Sequence, residues 1–186
     1  MSWNTTLGII VDTRLDELGL TGEAVAYDLV EAPEVGAAQI GRHVVVVDRD
    51  QTGAEIKEIA TALGRQAYLV TLSAYGNSYT LEAFGPISRL RTVAGGQVVA
   101  EQGAPLPAEA AGAGAATEES AHLAIVEALL GTGIAAVTGA EYQVWAGRAM
   151  GAARTAVIVA ERERAEPVAP AAEPVAKRKR KFFGRS

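Results

Sequence analysis

Val44-Val45-Val46-Val47-Asp48-Arg49-Asp50-Gln51-Thr52-Gly53-Ala54-Glu55 is the stretch on which the fold turns. Four successive valines leave no polar face, so a strand built from them must be covered on both sides. Asp48 to Gln51 ends that strand. Thr52 and Glu55 then stand at capping-box spacing, and Ile56, Ile59, Ala60 and Leu63 follow on one helical stripe that Gly64 stops. The next strand is Ala67 to Leu72. Strand, short helix, strand predicts a right-handed crossover and a parallel pair.

Beyond Leu72 the connections are too short for parallel pairing. Tyr75-Gly76-Asn77-Ser78, Gly85-Pro86 and Gly95-Gly96 are turns by composition. They divide Tyr79–Phe84, Ile87–Val93 and Gln97–Glu101 into an antiparallel meander, in which Arg89 and Arg91 alternate with Leu90 and predict a wet, cationic face. Upstream, Thr6–Val11 reads as a first strand ending at Asp12, and Thr13–Leu20 as holding a helical turn. Gly22–Glu31 is assigned to a helix capped by Thr21, although Ala24–Val30 also suits a strand. Pro33–Gln39 is assigned to a loop.

Downstream, Ala108–Ala116 reads as a small-residue linker. Thr117-Glu118-Glu119 opens a helix with acid in its first turn, stopped at Gly131. From Ala140, the spacing of Tyr142, Trp145, Ala149, Ala153, Ala156 and Val157 predicts a second, longer helix. Pro167, Pro170 and Pro174 then punctuate an extended alanine/valine segment.

These elements predict an α+β fold: a mixed sheet of five to six strands, one βαβ crossover plus the meander, covered by helices. One globular domain runs to about residue 160. Within it are a sheet core over 1–107, a linker over 108–116 and a helical pair over 117–164; residues 165–186 form a disordered tether with a basic tail.

Composition narrows the chemistry. The 186 residues are 49% apolar but only 5% aromatic, which implies a core of small and aliphatic side chains. Without cysteine there are no disulfides, thiolate nucleophiles or Cys-ligated metals. That suits a reducing compartment, and with no basic-then-apolar leader at Met1-Ser2-Trp3-Asn4 the expectation is a cytoplasmic protein. The net charge of −5 hides a split. Residues 161–186 carry eight Lys/Arg and four Glu, net +4, whereas the first 160 carry nine basic and eighteen acidic groups, net −9.

The segment Ser88-Arg89-Leu90-Arg91-Thr92-Val93-Ala94-Gly95-Gly96-Gln97, followed by Gly103-Ala104-Pro105-Leu106-Pro107-Ala108-Glu109, resembles a motif of uncharacterised small proteins of actinobacteria and their phages. The resemblance covers the middle third of the chain, departs from the motif where Ser88-Arg89 replaces a glycine, and implies an α+β fold with no assigned activity. Val44–Val47 with Asp48-x-Asp50-x-Thr52 is similar to the first motif of haloacid-dehalogenase-type phosphatases. That similarity implies Asp48 as nucleophile, Asp50 as acid/base, and Mg²⁺ held by the pair. Asp12, at the end of another strand, is a third metal candidate. That family also needs a downstream lysine and an acidic pair, and no lysine lies between Leu72 and Lys177. Strand termination and support of a helix start is the better account of Asp48 and Asp50.

Of the two histidines, His43 opens the central strand and His122 lies early in a helix; nothing in their spacing pairs either with Ser73 or Ser78. Ser120–Ala140 is nearly uncharged, but Glu127 and its glycines argue against a membrane span, and Gly147–Gly151 reads as a tight helix contact. The outward-pointing feature is Lys177-Arg178-Lys179-Arg180-Lys181-Phe182-Phe183 on its Pro/Ala tether. Such a run suits an anionic lipid surface, a nucleic acid or a protein groove, and its bland alternative is a solvated end that promotes solubility. The expected function is therefore a non-catalytic interaction or accessory protein with no cofactor and no catalytic residue. Its acidic body carries the specific surface and its tail is the tether. The alternatives are a metal-dependent phosphoryl-processing enzyme using Asp12, Asp48 and Asp50, and a nucleic-acid-associated protein that binds through the tail.

Overall fold

The computed structural model describes residues 3–20 and 22–146. They form an α+β structure dominated by one antiparallel sheet of nine strands, in the order β2-β9-β3-β4-β1-β5-β6-β7-β8. The strands are β1 (Asn4–Ile10), β2 (Ala24–Ala26), β3 (Glu34–Ile40), β4 (His43–Asp48), β5 (Ala67–Ser73), β6 (Ser78–Phe84), β7 (Arg89–Ala94), β8 (Gln97–Gln102) and β9 (Glu141–Ala146). Three α-helices accompany them: α1 (Ala54–Leu63), α2 (Glu118–Leu130) and the single turn α3 (Ala135–Thr138).

All six predicted strands are present, and the meander β5-β6-β7-β8 is antiparallel throughout. The sheet is nonetheless larger than the predicted five to six strands, and it is not mixed. Helix α1 does carry the chain from β4 to β5, but β1 lies between those strands and pairs antiparallel with both. The predicted adjacent parallel pair is therefore absent: β4 and β5 run the same way, one strand apart.

The valine run behaves as its composition requires. Val44 and Val46 enter a core beneath α1 with Ile10, Ile56 and Ile59, while Val45 and Val47 enter the opposite core with Leu7, Ile9, Ile125 and Val126. Helix α1 sits so close to β1 that a Cβ on Gly8 would come within 2.5 Å of Ile56 Cγ2. Gly8 is what lets the helix rest on the sheet.

Four segments depart from their predicted states. Gly22–Glu31 is not a helix: it contributes β2 and a 3-10 turn at Tyr27–Leu29, and Thr21 lies outside the described residues. Pro33–Gln39 is not a loop, because Glu34–Ile40 forms β3 between β9 and β4. Small side chains suit that place: a Cβ on Gly36 would come within 2.9 Å of Val30 and 3.1 Å of Tyr142. The supposed linker folds into a 3-10 turn, Pro107–Gly112, packed against α2. The start of the predicted second helix is instead β9, which slots between β2 and β3, and residues 147–164 of that prediction lie outside the described residues. Tyr142 there is fully buried and donates its hydroxyl to the Val137 carbonyl at 2.8 Å. Helix α2 thus packs on the sheet through Ile125 and Val126, whereas β9 is one of its strands. Among the described residues no helix is long and apolar enough to cross a membrane.

Candidate functional site

Asp48 closes β4 and is buried. Its Oδ1 accepts the Asp50 amide at 2.9 Å. Its Oδ2 accepts the Thr52 amide and hydroxyl, each at 3.1 Å, and the Gly53 amide at 2.7 Å. The carboxylate is the hub of the loop that starts α1. Thr52 does not close the predicted capping box: its hydroxyl is turned to Asp48, and the N-cap of α1 is Gly53 in the left-handed region at φ 60°. Asp50 is exposed on the same loop.

Asp12 is elsewhere. Antiparallel pairing opposes Thr6 to Asp48, so Asp12, six residues further along β1 and its exit, lies about 20 Å away at the other end of the sheet. There its carboxylate holds Arg42 Nε at 3.1 Å. Gathering Asp12 with Asp48 and Asp50 assumes strand ends on one edge of a parallel sheet, and the antiparallel register separates them. Among the described residues no group of three or more His, Asp or Glu is placed to hold a metal ion.

His43 is equally separate from the serines, and neither ring nitrogen of His122 bonds to them. Ser73 and Ser78 face each other across β5 and β6, at the Asp48 end of the sheet. His43 begins β4 at the opposite end, where its Nδ1 accepts the Asp12 amide at 3.3 Å. That bond places the remaining ring proton on Nε2. His122 is fully buried on α2, stacked on Tyr79 with ring centroids 5.4 Å apart. Its Nδ1–H donates to the Glu118 carbonyl at 2.8 Å, and its buried Nε2 has no hydrogen-bond partner among the described residues. Burial lowers the pKa of both rings below the ordinary histidine value.

A cluster that the sequence misassigns lies at the far side of the sheet. Arg89, predicted on a wet face, is buried. Its Nε and Nη2 grip Glu109 at 2.8 and 2.9 Å, Nη2 also reaches Glu101 at 2.7 Å, and Nη1 donates to the carbonyls of Gln102 and Gly103. All five guanidinium N–H groups are used. The motif from Ser88 to Glu109 contains both ends of this clasp, and that is the signal from which it is legible.

Two surface features remain. At the sheet end where β1 stops and β4 and β5 start, a groove of about 470 Å³ lies between the strands and α2. Its lining includes Arg42, His43 and Tyr68 beside Leu106, Ala128 and Leu129. At one edge of the sheet, β8 pairs among the described residues only with β7 and carries Val98 and Val99, 49% and 61% exposed. Thr92 opposes Ala100 and Val93 opposes Val98, so Val99 is the extra residue of a bulge. The tail candidates Lys177, Arg178, Lys179, Arg180, Lys181, Phe182 and Phe183 lie outside the described residues.

No protein-family model matches the chain, and no curated protein or solved structure is significantly similar to it.

Proposed function

We propose that this protein is a non-catalytic interaction protein, in which the acidic body presents the specific docking surface and the basic C-terminal run serves as a tether. One observation carries the reading. Among the described residues the exposed large apolar side chains are Leu29, Tyr75, Ile87, Val98 and Val99, and two of the five are neighbours on the outermost strand of the sheet. Edge strands are commonly shielded by charge, proline or shortness, because their unpaired amides and carbonyls invite another chain. Over its six residues β8 has one charged side chain, Glu101, and no proline; its guard is a single bulge. Adjacent valines at an open edge suit a protein partner that adds contacts along the strand.

The test is affinity capture from the source cells with three proteins: the full chain, Val98→Lys/Val99→Lys, and a variant with Lys177–Lys181 replaced by glutamine. The proposal expects a defined partner with the full chain, lost with the valine variant and weakened with the tail variant. Recovery of the same proteins by all three, or of none by the full chain, overturns it.

A further inference from the structure

The groove beside α2 has the chemistry of a small-ligand site. Its volume, about 470 Å³, is within the range of small-molecule pockets. Leu106, Ala128 and Leu129 supply apolar wall, and three side chains from the strand ends supply donors.

The His43 ring, with Nδ1 occupied by the Asp12 amide, carries its proton on Nε2. Neither that N–H nor the Tyr68 hydroxyl has a hydrogen-bond partner among the described residues, and neither atom is fully buried. Burial lowers the pKa of His43 and raises that of Tyr68, so at neutral pH both are uncharged and both donate. Arg42 adds a fixed positive charge. Its Nε lies 3.1 Å from Asp12 Oδ1 in an exposed ion pair.

Two neutral donors and a guanidinium, set against apolar walls, complement an anionic oxygen head carried on an apolar body. A neutral alcohol forfeits the charge, and a cation is repelled by Arg42. We propose that this groove binds a small aliphatic or aromatic carboxylate, with its head at Arg42, His43 and Tyr68 and its body along Leu106, Ala128 and Leu129. This assignment does not depend on the β8 edge, none of whose residues lines the groove.

Titration of the full-length protein with octanoate and with 4-phenylbutyrate, followed by amide chemical shifts, tests it; octanol is the neutral control. Saturable shifts are expected at the groove residues, with Kd of about 1 mM, appropriate to ligands of about ten heavy atoms. Tyr68→Phe, which removes only the hydroxyl, is expected to weaken octanoate about 3- to 10-fold. Arg42→Gln, on an exposed side chain, is expected to weaken it about 10-fold. Ala128→Trp, at an exposed position of α2, fills the groove and is expected to abolish binding. The absence of saturation by 4-phenylbutyrate and octanoate alike overturns the proposal. So does octanol binding as tightly as octanoate, or Ala128→Trp binding as well as the parent.

Discussion

The Arg89 guanidinium and the Glu109 carboxylate meet through two hydrogen bonds, Nε to Oε1 at 2.8 Å and Nη2 to Oε2 at 2.9 Å, and so tie β7 to the turn in front of α2. Glu109 is not spent on Arg89 alone, since its Oε1 also accepts the Leu106 amide at 2.7 Å. Glu109→Gln strands a buried guanidinium and is expected to cost about 3–5 kcal/mol in urea unfolding. Glu101→Gln, at a half-exposed side chain, should cost no more than about 1 kcal/mol. Equal losses in the two variants would show that the clasp is not organised around Glu109. The Arg89 partnership holds the Glu109 pKa below the ordinary carboxylate value. Its stabilisation is therefore present above the unfolded value of about 4.3 and lost as pH falls through the lowered folded one.

Asp48 predicts a contrast between fold and metal. In Asp48→Asn one carboxylate oxygen becomes an NH₂ group facing amide donors, with an expected cost of about 1–3 kcal/mol. Mg²⁺ or Mn²⁺ should leave the parent's Tm unchanged, because both Asp48 oxygens already accept N–H or O–H donors. A metal-dependent rise in Tm that vanishes in Asp48→Asn would restore the phosphoryl-transfer alternative.

His122 should make stability depend on pH. Its folded pKa is lowered, chiefly by burial, against the opposing pull of the Glu118 carbonyl and carboxylate. The unfolded chain binds the proton better, so stability is fully present above about pH 6.5 and falls as pH drops below it. His122→Leu removes Nε2 from its buried site and should flatten the curve between pH 7 and 5, leaving the dependence that comes from His43. An unchanged slope would place the titration elsewhere.

Gly8 and Ile56 should be coupled. Gly8→Ala puts a methyl group into the Ile56 side chain, an overpacking expected to cost about 1–3 kcal/mol. With Ile56→Ala in the background the added penalty should largely disappear, which a double-mutant cycle reads directly. Additive losses would mean that the helix does not rest on β1 at this point.

The C-terminal run can be separated by salt and by its aromatics. If Lys177–Lys181 meet duplex phosphates, about five neutralised charges give a log–log salt slope near −4 to −5. On an anionic bilayer the same five supply up to about 5 kcal/mol, also lost as salt rises. Phe182→Ala/Phe183→Ala should weaken vesicle sedimentation and leave duplex binding almost unaltered. Full-length protein that ignores vesicles and nucleic acid alike at low salt would remove the tether from the proposed function.

What the sequence determined by itself is the α+β class, the six strands with strong β-branched or turn-bounded patterns, and both long helices with their stops. The doubly buried valine strand belongs to that set, because four apolar residues in succession admit no exposed face in a sheet. Only the tertiary structure decided the remaining three strands. Glu34–Ile40 is a strand because it pairs on both sides, with β9 and with β4, and at Gly36 the neighbouring Val30 and Tyr142 leave no room for a side chain. Tyr142 with Val144 satisfies a strand's alternation and Tyr142 with Trp145 a helix's spacing, and the gap between β2 and β3 selects the strand. Strand order was equally out of reach. The placement of β1 between β4 and β5 is a pairing between distant residues, invisible to any local pattern. That one choice sends Asp12 and Asp48 to opposite ends of the sheet, and it brings Arg42, His43 and Tyr68 to a single groove. Local chemistry decides what each segment prefers to be, but long-range pairing decides which side chains stand together.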